Sequence, residues 1–204
     1  MAVALILALG TGAAQAQTQQ PKKKQSAWVK ICDKVTFTKD LKKEICITHH
    51  ERLDGNSGMV LVSAAVRKVE GAKTQRFMVM VPLGMALPPG IQVKFDKDKT
   101  PIKLRYSICH PGGCTAETVA TPEIITKLRK GSQLMVAAIT AVGKPIGFPV
   151  PLTGFSAAYD GKLVDGKKYA NARRQLMLQI RKRQIARAKA AAAKRKQKQK
   201  AGQN

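Results

Sequence analysis

The chain has 204 residues, 44% of them apolar and only 4% aromatic, with 37 Lys and Arg against 12 Asp and Glu for a formal net charge of +25. That length holds one ordinary domain with tails, and the charge sits in the ends: residues 171–204 carry twelve cations and no acid, and Lys22, Lys23 and Lys24 stand together. Residues 25–170 keep only about +10, which excludes a uniformly basic globule, and no apolar run after residue 16 approaches the ~20 residues that a polytopic membrane protein would need.

Residues 1–16 read as an export signal. The apolar stretch Ala2 to Leu9 breaks at Gly10-Thr11-Gly12 and ends in Ala14-Gln15-Ala16, a small-x-small cleavage pattern. No Lys or Arg precedes the apolar run, a departure from the usual positive start. Residues 17–26 then form a polar, lysine-bearing linker. Export gives the cysteines meaning. Cys32, Cys46, Cys109 and Cys114 are even in number, and an oxidising compartment lets disulfides persist. Four cysteines allow three pairings, of which chain proximity favours Cys32–Cys46 and Cys109–Cys114; closing those loops contributes about 3 and 2 kcal/mol in the chain-entropy picture. Zinc spacing is not met by Cys32-x13-Cys46, and Cys109 to Cys114 has four intervening residues where a thioredoxin-type centre has two.

Between Trp28 and Tyr159 the pattern is a run of short strands. Residues 28–32 open it and residues 44–48 follow. Residues 59–66 and 76–81 are almost continuously apolar, as expected of strands buried on both faces. Residues 91–95 and 102–108 alternate strictly, which puts the apolar set on one face and Lys/Arg on the other. Asp96 to Lys99 reads as a turn with solvated carboxylates. Residues 134–139 form another buried strand. Residues 145–152 form one that Pro149 and Pro151 assign to a sheet edge, since proline cannot donate to a ladder. One helix is well signalled: Thr121 as cap, Pro122 at the first position, basic residues in the last turn and Gly131 at the end, with Ile124, Ile125 and Leu128 as its apolar stripe. A second, short one follows Gly154, with Phe155 and Tyr159 packing on one side. The fold class is mainly β: an antiparallel sandwich or barrel-like domain with one or two short helices, with Trp28 in its core.

The ordered set Trp28, Cys32, Cys46, Pro82-Leu83-Gly84-Met85, Leu87-Pro88-Pro89-Gly90-Ile91, Cys109, Gly113-Cys114 and Leu152-x-Gly154-Phe155-x-x-Ala158 resembles the invasion-associated locus B family of alphaproteobacterial envelope proteins. The resemblance covers residues 27–160. It implies a secreted or periplasmic β-rich domain without known catalytic residues, named for host-cell invasion in pathogenic members. The signal and the basic tail, residues 161–204, lie outside it.

Chemistry-bearing patterns are scarce. His49 and His50 are adjacent on a strand and point to opposite faces, and His110 lies in the small cysteine loop. Gly55-Asn56-Ser57-Gly58 reads as a hairpin turn and not as a nucleophile elbow. No catalytic residue, metal, cofactor or small-molecule substrate is therefore expected. The tail is the distinctive feature. Its Ala, Arg, Lys, Gln, Leu and Met favour helix, with no Gly or Pro before Gly202, although like charges four residues apart oppose it. The expectation is a helix over about 170–193 that frays into a disordered end. Its apolar residues do not collect into one stripe: Leu176 and Ile180 are neighbours on the wheel, with Leu178 and Ile185 nearly opposite. Arg173, Arg174, Arg181, Lys182, Arg183, Arg187, Lys189, Lys194, Arg195, Lys196, Lys198 and Lys200 form a polycation suited to an anionic envelope component, lipopolysaccharide or phospholipid headgroups. This is the leading reading: an exported non-enzymatic envelope protein, periplasmic or secreted. Two alternatives remain, a nucleic-acid-binding protein using the same tail and a thiol-disulfide protein using Cys109 and Cys114.

Overall fold

The computed structural model describes residues 28–39, 41–96 and 98–201. The signal and linker assigned to residues 1–26 lie outside the described residues. Nine strands occur in the order β1 (Val29–Thr38), β2 (Leu41–Leu53), β3 (Val60–Val69), β4 (Arg76–Val81), β5 (Ile91–Phe95), β6 (Ile102–His110), β7 (Gly113–Val119), β8 (Gln133–Ile139) and β9 (Pro145–Pro151). Helix α1 (Pro122–Lys130) separates β7 from β8; α2 (Phe155–Asp160) and α3 (Gly166–Ala201) follow β9. The strands form one antiparallel sheet in the order β1-β2-β3-β4-β7-β6-β5-β8-β9.

This sheet is open, and strand β6 explains why the two layers of a sandwich appear as one sheet. Its first half pairs with β5, placing Leu104 opposite Ile91, and its second half pairs with β7. A register shift between Tyr106 and Ile108 marks the bulge at which the strand turns from one layer to the other. The far ends of the order then meet across the core: the Trp28 indole N–H donates to the Pro151 carbonyl at 2.8 Å, and Arg52 donates to the Pro149 carbonyl. The enclosed space is filled by Val62, Phe77, Val79, Ile91, Val93, Leu104, Leu134, Val136 and Val150, with Leu128 of α1 and Phe155 of α2 closing it. Trp28 meets Phe155 edge-on at 5.0 Å, and Phe155 stacks on Tyr159 at 5.3 Å. Helix α1 starts as its residues dictate, with the Thr121 hydroxyl accepting from the Ile124 N–H and Pro122 in the first turn. Strand β9 is an edge, as its prolines require.

Three expectations need correction. Strand β7 has no counterpart in the sequence pattern. Its sequence Gly-Cys-Thr-Ala-Glu-Thr-Val has no large apolar side chain before Val119 and so no apolar alternation, yet it lies between β4 and β6 with its first four residues buried. Its small side chains suit a place where backbones come close: Gly113 sits at φ +143°, and a Cβ there would collide with the Val81 carbonyl. Strand β8 buries one face only, with Met135 39% exposed on the other, and so do strands β3 and β4. Ser63, Ala65, Met78 and Met80 on the other face line a shallow groove of about 360 Å³ with Ile31, Ile47 and His49. Asp96 is not a loosely solvated carboxylate. It accepts from the backbone N–H groups of Ser132 and Gln133, at 3.0 Å each, and from the Ser132 hydroxyl, tying the β5 turn to the start of β8; these bonds, the hydroxyl's first, hold its carboxyl below the ordinary range. Asp98 pairs with Lys127 at 2.9 Å.

Both disulfides join residues directly opposite each other, Cys32 with Cys46 across β1–β2 and Cys109 with Cys114 across β6–β7, each pair with Cα atoms 4.0 Å apart. Their placement has a physical reason. Pairing of β2 with β3 ends at Ile45 opposite Val69, and Glu44 still exchanges bonds with Glu70, so among the described residues it is beyond Glu44 that strands β1 and β2 have only each other. A two-stranded ribbon is marginal in water, and a covalent bond at its base fixes its register. The β6–β7 bond does the same at the exposed end of its hairpin.

Candidate functional site

The tail is a helix from Gly166 to Ala201, about 54 Å long at 1.5 Å per residue. It begins four residues before the expected start because Asp165 caps it: the Asp165 carboxylate accepts from the Lys168 N–H at 2.9 Å. It continues beyond residue 193, through the expected disordered end, because nothing in the run to Ala201 breaks a helix. Before it, the Val164 N–H donates to the Lys30 carbonyl and so covers the outer edge of β1 at that point.

A single seam holds α3 to the β domain. Residues 169, 173, 177, 180, 184 and 187, spaced by three and four, fall on one side of a helix. Tyr169 meets the His49 ring edge-on at 5.4 Å. Arg173 reaches Glu51 with two parallel bonds, Nε to Oε1 at 2.7 Å and a terminal nitrogen to Oε2 at 3.0 Å. Met177 packs on Gly58, where a Cβ would come within 2.9 Å of its methyl carbon, and Ile180 is buried beside it. Gln184 donates to the Asn56 carbonyl at 2.6 Å, and Arg187 donates to the Asn56 side-chain oxygen. The turn that receives them is organised by Asp54, which accepts from the Asn56 and Ser57 N–H groups and from the Ser57 hydroxyl; the Ser57 bonds hold its carboxyl below the usual range.

The seam explains the split among the apolar residues of the tail. Met177 and Ile180 are used in docking. Leu178 and Ile185, 45% and 49% exposed, face outward among Arg174, Arg181, Lys182 and Lys189. Of the twelve cations, Arg173 is neutralised by Glu51 and Arg187 holds Asn56, so these two serve the dock. Arg174, Arg181, Lys182, Arg183, Lys189, Lys194 and Arg195 are exposed. The side chains of Lys196, Lys198 and Lys200 lie outside the described residues. No acid occurs in the helix, so its field is not cancelled from within. No local pattern marks the receiving residues Glu51, Asn56 and Gly58 as a dock. The signal was present in the three-four spacing, but polar pairs carry much of it.

The other chemistry-bearing residues are dispersed. His49 faces Tyr169; burial, its first cause, and nearby Arg173 push its imidazole below the ordinary value, against a rise from Glu51. His50 is buried beside Trp28 with ring centroids 5.5 Å apart, on the opposite face as the alternation requires. His110 accepts from the Gly112 N–H in the β6–β7 turn. Cys32, Cys46 and Glu44 bring their ligand atoms within 4.8 Å of one another, but both sulfurs are committed to the disulfide and are not thiolates. The Cys109–Cys114 bond bridges paired strands and does not sit at a helix N-terminus. Among the described residues no helix is long and apolar enough to cross a membrane.

Comparison with known proteins adds the family. The family model described as invasion associated locus B (IalB) protein matches residues 28–162. An invasion protein B homolog of Brucella abortus (strain 2308) is 29% identical over 116 residues, covering 56% of this chain and 66% of the relative. Invasion protein B of Bartonella bacilliformis is 29% identical over 118 residues, covering 56% of this chain and 62% of the relative. The chain thus spans just under two thirds of the length of these relatives. The crystal structure of invasion associated protein b from Bartonella henselae is similar in fold, with TM-score 0.50, 23% identity, and coverage of 58% of this chain and 89% of that one. Matched from the buried Trp28 past the end of α2 and including both disulfide pairs, this chain belongs to the invasion-associated locus B family.

Proposed function

We propose that the chain is an exported, non-enzymatic cell-envelope protein, periplasmic or secreted and associated with the outer membrane, whose α3 binds anionic envelope components. The observation that carries this reading is the asymmetry of α3: one seam docks it, and the described cations off that seam point into solvent, with no acid in the helix sequence. Lipopolysaccharide phosphates and anionic phospholipid headgroups supply the complementary charge, and each cation held close to such a surface contributes up to about 1 kcal/mol. The β domain serves as a stapled support that presents the helix. The Brucella and Bartonella relatives are named for invasion, and a contribution to host-cell contact belongs to the proposal.

The test replaces Arg174, Arg181, Lys182, Arg183, Lys189, Lys194 and Arg195 with Gln, which keeps helix propensity and leaves the seam intact. The unaltered chain is expected to sediment with phosphatidylglycerol vesicles or lipopolysaccharide at low salt, and the substituted chain to lose most of that binding. Undiminished binding by the substituted chain would overturn the reading.

A further inference from the structure

The ribbon beyond the Cys32–Cys46 bond is formed by residues 33–44, and it carries a combination that neither the core nor the dock uses. Val35, Phe37 and Leu41 are 38%, 53% and 43% exposed. Around them stand Lys34, Lys39, Lys42 and Lys43, four cations against Asp33, Asp40 and Glu44 in the same segment, with Lys39, Lys42 and Lys43 gathered at its turn end. We infer that this arm is a lipid-inserting finger that places Phe37, Val35 and Leu41 in the interface of an anionic phospholipid bilayer while its lysines meet the phosphates. The inference stands apart from the proposed role of α3. The arm leaves the sheet at the Leu41 end of β2, whereas α3 passes the Asp54–Gly58 turn beyond its Leu53 end.

Three observations support it. Lysines alone are enough to blunt an exposed edge strand against pairing, so they do not account for three large apolar residues beside them. An aromatic ring more than half exposed on a two-stranded ribbon contributes only part of its transfer free energy to folding, and burying it in an interface recovers the rest. The reach is also sufficient. From Cys32 to Phe37 an extended strand covers about 17 Å, more than the ~5–10 Å to which interfacial segments sink. The disulfide at the base removes much of the cost of ordering such an arm at a surface, because its register is already fixed. Cations flanking an apolar tip are the arrangement that anionic headgroups over acyl chains complement.

The full chain carrying Phe37→Trp tests this with phosphatidylglycerol vesicles whose acyl chains are brominated. Trp28 is 3% exposed and supplies a constant, shielded background in the unaltered chain. Emission gained through F37W is expected to shift to the blue and to be quenched by the brominated vesicles, but not by zwitterionic ones. Val142→Trp, at a 79% exposed position in the β8–β9 turn, is expected to stay unquenched. Phe37→Asp is expected to lower partitioning into anionic vesicles about tenfold without changing the unfolding midpoint. Sedimentation of the chain with vesicles while F37W emission stays water-like and unquenched would overturn the finger and leave the α3 reading intact. Equal quenching at position 142 would overturn it as well, by reporting unspecific adsorption. Quenching that survives Gln replacement of the α3 cations would support the finger alone.

Discussion

The β domain and α3 are secured by different kinds of contact. Between the layers of the sheet, Phe77, Phe155, Leu104 and Leu134 are fully buried and α1 seals one side. Among the described residues of α3 only Ile180 is buried, and the rest of the seam is a bidentate ion pair, a ring contact, a methionine on a glycine and two bonds to Asn56. Apolar burial holds whatever the salt and at any pH that keeps the core neutral. A polar seam weakens as ions and protons compete for it. The difference separates a support that resists its surroundings from a basic helix that responds to them.

Substitution in the core should give the largest effect. Phe77→Ala removes a side chain with no exposure and is expected to cost about 3–5 kcal/mol, read as a lower urea midpoint for the β-domain signal. If the loss is below 1 kcal/mol, roughly, the core is not as filled as its burial indicates. Next comes the ribbon: replacing Cys32 and Cys46 together with Ser should lower stability by about 3 kcal/mol or less, with hydrogen exchange rising first over residues 33–44. Uniform loss of protection across the sheet would mean that this bond supports the core and not the arm.

These two regions also differ in how legible they were. The core strands are readable because Ile91 to Phe95 and Arg76 to Val81 alternate or run apolar in ways that admit few alternatives, and the cap at Thr121 follows from residue chemistry. Proximity sufficed for the disulfides because each joins the two strands of one hairpin, Cys109–Cys114 at its turn and Cys32–Cys46 at its base, where partners are close in sequence. Strand β7 is not legible because its position between β4 and β6 selects small residues, which leave no apolar alternation to read. The dock escaped for a related reason. An apolar stripe was the feature sought in the tail, but Tyr169, Arg173, Gln184 and Arg187 make their half of the contact through polar atoms and an edge-on ring, and their partners Glu51 and Asn56 are more than a hundred residues away.

Smaller perturbations should move α3 and spare the sheet. Arg173→Ala leaves Glu51, 19% exposed, without its ion pair and is expected to cost at most about 1 kcal/mol. Amide exchange should quicken along residues 166–187 while the β-domain midpoint holds; a shifted midpoint would show that α3 is part of the cooperative unit. The smallest effect is that of pH. Because the folded protein holds His49 below its ordinary value, the unfolded chain takes up the proton first as pH falls through about 6.5. The stability contribution of His49 is therefore complete above that value and declines toward the lower folded-state pKa. Denaturation midpoints between pH 7.5 and 5.5 should fall with acid, and His49→Gln should flatten that dependence. An unchanged slope in the variant would place the titrating group elsewhere.

The separation of roles is tested most directly by measuring vesicle affinity against salt concentration, for the unaltered chain and for the chain with seven Gln replacements in α3. Counterion release makes the logarithm of affinity fall linearly with the logarithm of salt, with a slope set by the number of cations engaged. A steep slope that collapses in the substituted chain, at an unchanged β-domain midpoint, is the predicted result. Equal slopes for the two chains would contradict the assignment of surface binding to α3.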